Sequence, residues 1–289
     1  MTSSYVILTD SACDIIPETL KEWEVGYLSL TFRFDGEDRE YANDEMDSHA
    51  FYDRMREGGI AKTSAINSER FRLFFEQPLK EGKDVLYLGF SSGLSATYSA
   101  AKIAAEQLAE EYPDRKIITI DTLAASAGFG MLVAFATRAR DNGASLDEVA
   151  DLVRSYIPRL CHWFTVDDLV YLKRGGRVSP TVAFVGNVLG IKPILHVDDE
   201  GHLINISKVR GRKTSIAALA KKYGELLENA ENNEAFISHG DCIEDAEALK
   251  DILESQYGAR VTLITPVGTV IGAHSGPGTM ALFYVGKNR

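Results

Sequence analysis

Short apolar runs recur in the first half of the chain at residues 5–8, 85–90 and 117–120, each bounded by polar turn residues and followed by a stretch of helical periodicity. That alternation predicts β/α units built on a parallel sheet. Residues 96–112 are alanine-rich, with Ile103, Ala104 and Leu108 at helical spacing, which makes Ser95 an N-cap or near-cap residue. Another helix is predicted at 125–140, closed by Asn142-Gly143, and Ser145-Leu-Asp-Glu148 spells the capping box of the next. Near Arg159 the pattern changes. A short helix at 166–173 stops at Gly175-Gly176, Ser179-Pro180 opens an apolar helix ending at Gly190, and runs at 194–197 and 202–209 flank Asp198-Asp-Glu-Gly201 as a β-hairpin. A helix at 215–228, a strand at 235–238, a helix ending at Tyr257 with Gly258 as its C-cap, a strand at 261–265, a loop around His274 and a last strand at 280–285 complete the reading. The expectation is an α/β protein of two domains, residues 1–160 with a parallel sheet and residues 161–289 of α+β type.

Small hydroxyl and carboxylate residues gather where the presumed parallel strands end: Thr9-Asp10-Ser11, Ser91-Ser92-Gly93-Leu94-Ser95 and Asp121-Thr122. In open α/β sheets ligands bind at that edge. Thr63-Ser64, Ser95 and His274, with Ser91 and Ser92 as neighbours, are the groups that would hold a carboxylate by charge-assisted hydrogen bonds, helped by the amides that open the 96–112 helix. The run Gly-Ala-His-Ser-Gly-Pro-Gly at 272–278 sets His274 among residues that permit close backbone approach. A plainer role fits the same residues: Thr63-Ser64 starts a helix, Ser95 caps its own, and His274 is a satisfied loop histidine. Spacing alone favours the plainer role.

Composition narrows the class. The chain has 289 residues, 45% of them hydrophobic and 25% charged, which is ordinary for a globular protein with a full core. The N-terminus has no basic stretch before its short apolar run, and nowhere does the chain approach the ~20 apolar residues of a membrane span, so a cytoplasmic protein without a signal peptide is expected. Three distant cysteines, Cys13, Cys161 and Cys242, suggest buried apolar residues rather than a disulfide frame or a thiolate metal site. A formal charge of −11 argues against nucleic-acid binding. Residues 173–213 reverse that sign locally, with eight basic residues against three acidic ones. Arg174, Arg177, Arg210 and Arg212 in this segment suit a phosphate or carboxylate on a partner.

Other chemistries fit less well. A hydrolase triad of Ser95, His274 and Asp10 or Asp121 is conceivable, but Gly93-Leu94-Ser95-Ala96-Thr97 lacks the second glycine of the nucleophile elbow. No glycine-rich phosphate loop follows a strand, and His239-Gly-Asp241-Cys242 reads as a turn with too few ligands for a metal.

Eight blocks, in order and spanning nearly the whole chain, resemble the DegV family of bacterial fatty-acid-binding proteins. They are Thr9-Asp10-Ser11, Lys62-Thr63-Ser64, Ser91-Ser-Gly-Leu-Ser-Ala-Thr97, Asp121-Thr-Leu-Ala-Ala-Ser126, Tyr171-Leu-Lys-Arg-Gly-Gly-Arg177, Gly190-Ile-Lys-Pro-Ile194, Lys208-Val-Arg210 and His274-Ser-Gly-Pro-Gly278. The resemblance implies a Rossmann-like N-terminal domain of DegV type and a C-terminal α+β domain, with one long-chain fatty acid enclosed between them and no cofactor. It implies that Thr63 and Ser95 bond the carboxylate with His274 beside them, and that Ser64 and Ser92 are secondary contacts. It further implies a lipid-binding subunit rather than an enzyme. A partner fatty acid kinase would phosphorylate the carboxylate to an acyl-phosphate for phospholipid metabolism, docking on Arg177 and Arg210. Lipid exchange would involve transient membrane contact; the apolar residues Val182, Phe184, Val185, Val188 and Leu189, rather than the resemblance, suggest the 180–189 helix as gate, and an ordinary core helix fits them equally. The sequence departs from the family pattern at Ala96, Ser275 and Ala65-Ile66, none of which removes a carboxylate ligand.

Overall fold

The computed structural model describes residues 4–178, 190–227 and 232–289. The expected apolar helix at 180–189, with its Ser179-Pro180 start, lies outside the described residues. Strands β1 (Tyr5–Asp10), β2 (Val25–Leu28), β6 (Asp84–Gly89) and β7 (Ile117–Asp121) form an all-parallel sheet in the order β2-β1-β6-β7. Nearly every residue of β1 and β6 is buried, the pattern of a parallel strand covered on both faces. The next sheet is antiparallel and small: β3 (Thr31–Phe34) lies between β4 (Tyr41–Ala42) and β5 (Ala61–Ser64). Its apolar face packs Phe32 and Phe34 against Phe51, with the Phe32 and Phe51 rings edge to face at 5.0 Å. This sheet was not foreseen in the sequence. Thr63-Ser64 consequently sits in β5 rather than at a helix start, and the following helix begins at Ser68, capped by Asn67.

Strands β8 (Leu160–Thr165), β9 (Ile191–Val197), β10 (Leu203–Arg210), β11 (Glu234–His239), β12 (Arg260–Pro266) and β13 (Met280–Val285) form a six-stranded sheet in the order β10-β9-β8-β13-β11-β12, in which only β11 and β12 run parallel. All six residues of β8 and of β13 are buried because both faces are covered. Alternation divides them: Cys161, Trp163, Leu282 and Tyr284 pack under the helices Arg212–Leu226 and Ile243–Tyr257, whereas Phe164, Ala281 and Phe283 join a core that continues through the parallel sheet. The helix Ser126–Asp141 bridges the two, with twelve consecutive residues buried from Ser126 to Thr137. The fold is therefore mixed α/β, with a parallel four-stranded sheet and further sheets.

Two expected elements differ. The helix expected at 166–173 is shorter, Val170–Arg174, because the Asp168 carboxylate accepts from the Val170 amide at 2.9 Å and starts it there. His274 is in a helix, Thr269–Ser275, rather than a loop. Its first turn is held from outside, where Asn43 Oδ1 accepts from the Val270 amide at 2.9 Å and the Thr269 hydroxyl donates to Asn43 O at 2.9 Å. Gly276, at φ +80°, ends it. No helix among the described residues is long and apolar enough to cross a membrane.

Candidate functional site

Between the parallel sheet and the six-stranded sheet lies a cavity of about 300 Å³, at the lower end of the range for small-molecule pockets. Its wall is mostly apolar: Leu30, Phe90 and Leu94 on one side, Phe164, Ala281 and Phe283 on the other, and Val267, Val270 and Ile271 beside them. Polar groups converge at one end.

There β5 delivers Thr63 and Ser64, the turn after β6 delivers Ser95, and the last turn of Thr269–Ser275 delivers His274. Thr63 Oγ1 lies 2.8 Å from His274 Nε2. The imidazole rests on the backbone of Gly175, where an added Cβ would come within 2.0 Å of Nδ1, and Nδ1 has no hydrogen-bond partner among the described residues. Burial, reinforced by the nearby Arg177 guanidinium, pushes the pKa of His274 down to about 4, so the ring is neutral near pH 7. Ser95 Oγ accepts from the Thr97 amide at 3.2 Å and lies 2.9 Å from Thr97 Oγ1, which makes it a near-cap, the N-cap position itself being Ala96. Arg177 lines the same end. Its Nε donates to Leu94 O at 3.1 Å, a second nitrogen donates to Gly175 O, and burial lowers its pKa.

The structure thus brings together Thr63, Ser64, Ser95, Arg177 and His274. Ser92 and Arg210 stand apart: both are exposed and outside the cavity wall, Ser92 meeting Asp121 through its backbone amide and Arg210 closing β10. Ser91 is buried and donates to Gly201 O at 2.9 Å, a tie between the two halves of the fold. On the other side of Thr63 and His274 a second, more polar pocket of about 530 Å³ is bordered by Lys62, Arg174 and Arg177. Thr63 and His274, which border both pockets, thus stand between an apolar interior and a basic outer space.

No hydrolase triad forms. Asp10 is occupied by Tyr87 Oη at 2.7 Å and the Phe90 amide at 3.0 Å, and Asp121 by the amides of Ser92 and Leu123. His274 pairs with Thr63, and neither carboxylate orients it. His239 accepts from the Cys242 amide within a turn, as expected.

Sequence reasoning missed Ser126, His162, Ser238, Ser275 and Thr279, all in the cavity wall. The available signal was parity. Ser238 and His162 are polar residues at cavity-facing positions of otherwise apolar strands, and only the register of β8, β11 and β13 shows which face that is.

A mixed α/β protein with an apolar internal cavity and a hydroxyl–imidazole end is the class defined here. The chain belongs to the DegV family, which it matches over residues 4–287. It is 43% identical over 288 residues to a DegV domain-containing protein of Clostridium perfringens, covering 99% of this chain and 98% of that one. Among solved structures it is similar to a DegV lipid binding protein from Thermotoga maritima, with a TM-score of 0.84, 30% identity and 99% of each chain covered. It is also similar to a DegV family protein from Thermus thermophilus described for its fatty acid binding, with a TM-score of 0.86, 29% identity and coverage of 98% and 99%.

Proposed function

We propose that this chain binds one long-chain fatty acid, with the tail in the apolar cavity and the carboxylate at the Thr63, Ser95 and His274 end, and presents it to a fatty acid kinase. The observation that carries the reading is the 2.8 Å pair of Thr63 and His274 at the polar end of an otherwise apolar cavity. A neutral His274 that donates from Nε2 to Thr63 Oγ1 leaves the threonine hydroxyl hydrogen free for a carboxylate oxygen. Ser95 offers a second hydroxyl and the guanidinium of Arg177 a compensating charge. Ser64 borders the cavity but is exposed and donates its hydroxyl to Glu40 Oε1 at 3.1 Å, and Ser92 is exposed outside the wall, so neither is favoured as a secondary contact.

Affinity comes from the tail. Burying a sixteen-carbon chain is worth on the order of 10 kcal/mol at ~0.8 kcal/mol per methylene, before the cost of association. The polar groups supply orientation rather than most of the binding energy. Such a ligand exchanges by transient contact with the cytoplasmic face of a membrane. The same reading divides the chain near residue 160, with the ligand between the halves.

Presentation follows from the outer pocket. The carboxylate would end against Lys62, Arg174 and Arg177, where a phosphoryl group could approach it, and Lys173, Arg174, Lys208, Arg210 and Lys213 are exposed around that region of sequence. The kinase performs the chemistry and this chain the carrying. Incubation of the loaded protein with a fatty acid kinase and ATP tests the assignment. Arg210→Ala should slow acyl-phosphate formation at least tenfold with fatty acid retention unchanged, whereas Arg177→Ala, being in the cavity wall, should lower both. Unchanged acyl-phosphate formation in both variants would refute docking through these arginines.

A further inference from the structure

One face of the six-stranded sheet carries the cavity away from its polar end. Thr279, whose hydroxyl donates at 2.8 Å to the carbonyl of Gly276, two residues beyond His274, stands at that end. Ala281 and Phe283 follow it on the same face, since side chains of a strand alternate. Their neighbours on β11 and β8 extend each position into a row: Ser238, Ala281 and Phe164 form the first, Phe236, Phe283 and His162 the second. The whole first row borders the cavity. Of the second row only Phe283 and His162 do, and in the third Val285 and Leu160 belong to the packed core outside the wall. The open space therefore stops at Phe283 and His162.

The helix Ser126–Asp141 closes it there. Ala125 and Ser126 border the cavity, and no later residue of that helix does. At residue 128 the helix backbone comes down on the sheet, and glycine lets it: an added Cβ would lie 2.5 Å from Phe283 Cδ1 and 2.6 Å from His162 Nε2. The two rings brace each other edge to face, with centroids 5.4 Å apart. The imidazole is itself held by its Nδ1 hydrogen, donated to Leu160 O at 3.2 Å. With 3% and 2% exposure, Phe283 and His162 have nowhere to retreat from an approaching chain, because the backbone of Gly128 is behind them.

We propose that Phe283, braced by Gly128 and His162, is the end stop for the acyl chain and sets the longest chain that the cavity accepts. The proposal rests on the reading that the cavity holds a fatty acid with its carboxylate at the Thr63, Ser95 and His274 end. Phe283 lies four residues beyond Thr279, roughly 13 Å at the usual strand rise. An extended chain advances about 1.2 Å per bond, so removing the ring beyond Cβ makes room for about three more carbons.

The test is competition binding of saturated straight-chain acids, from decanoate to docosanoate, to the full chain. Affinity for the unsubstituted protein should climb by up to about fourfold per methylene and then drop at one length. Phe283→Ala should move the drop about three carbons longer. Gly128→Ala, whose methyl fits only if the ring turns into the cavity, should move it shorter. Phe283→Leu, closer to phenylalanine in volume, should give a smaller shift towards longer acids, and it decides the matter if either other variant does not fold. An unsubstituted protein whose affinity shows no drop, a drop that stays at the same length in Phe283→Ala and Phe283→Leu, or a loss equal at every length overturns the proposal alone. Failure of the unsubstituted protein to bind any of these acids overturns the fatty acid reading and this inference together.

Discussion

Asp14 shows how a single residue ties the cavity to stability. It is 5% exposed, holds a left-handed backbone at φ +50° and accepts from Ser126, a residue of the cavity wall. Burial raises its pKa to about 7 against an ordinary 3.8, and burial likewise raises that of Asp10 to about 6. Between pH 4 and 7 the folded chain therefore keeps a proton on Asp14 that the unfolded chain has released, so this group's contribution to stability is full below about pH 4 and falls as pH rises through 7. His274 acts in the opposite direction. Its pKa of about 4 makes the unfolded chain the better proton acceptor below the ordinary histidine range, so its contribution is lost as pH falls towards 4. Asparagine tolerates positive φ and retains the acceptor for Ser126. Asp14→Asn should therefore gain stability relative to the natural chain between pH 4 and pH 8, by a few kcal/mol at most. Urea unfolding at the two pH values measures this, and an equal difference at both would show that Asp14 titrates normally.

At the scale of elements, what could be read in the sequence was what is encoded locally. The strands β1, β6, β7 and β13 stand out as apolar runs between turn residues, and Ser145 with Glu148 forms the capping box that its spelling predicts. The helix bearing His274 did not stand out, because its first turn is capped by Asn43, 227 residues from Val270 in sequence. Strands β3 to β5 are short, and their pairing is set by a separate aromatic cluster rather than by any periodic run. Their omission turned Thr63 from a strand residue facing His274 into a supposed helix start. The candidate residues Thr63, Ser95 and His274 were legible as types, but their convergence depends on these long-range contacts. The cap offers a direct test: Asn43→Ala should cost about 1–2 kcal/mol of stability and speed fatty acid release, while Asn43→Asp keeps the acceptor and loses less. Denaturant titration and dissociation kinetics read the two effects, and an Asn43→Ala protein with unchanged release would separate the helix cap from the site.

For the whole molecule, two large sheets of different construction share a continuous core, and the cavity is the part of that core left unfilled. Packed interiors leave few voids larger than a water molecule, so a space of about 300 Å³ lined by rings and aliphatic groups calls for a guest. Its polar end meets a basic outer pocket on a chain whose overall charge is −11, so that the positive region is local. On the function proposed above, the apolar space would contain the tail and the basic region would be the face from which its anionic terminus is offered. Native mass spectrometry of the protein purified from cells tests that description most directly. One equivalent of intact free fatty acid should accompany the natural chain and be depleted in the Thr63→Val, Ser95→Ala double variant. A chain that carries no lipid and takes up none from excess long-chain fatty acid would contradict the account.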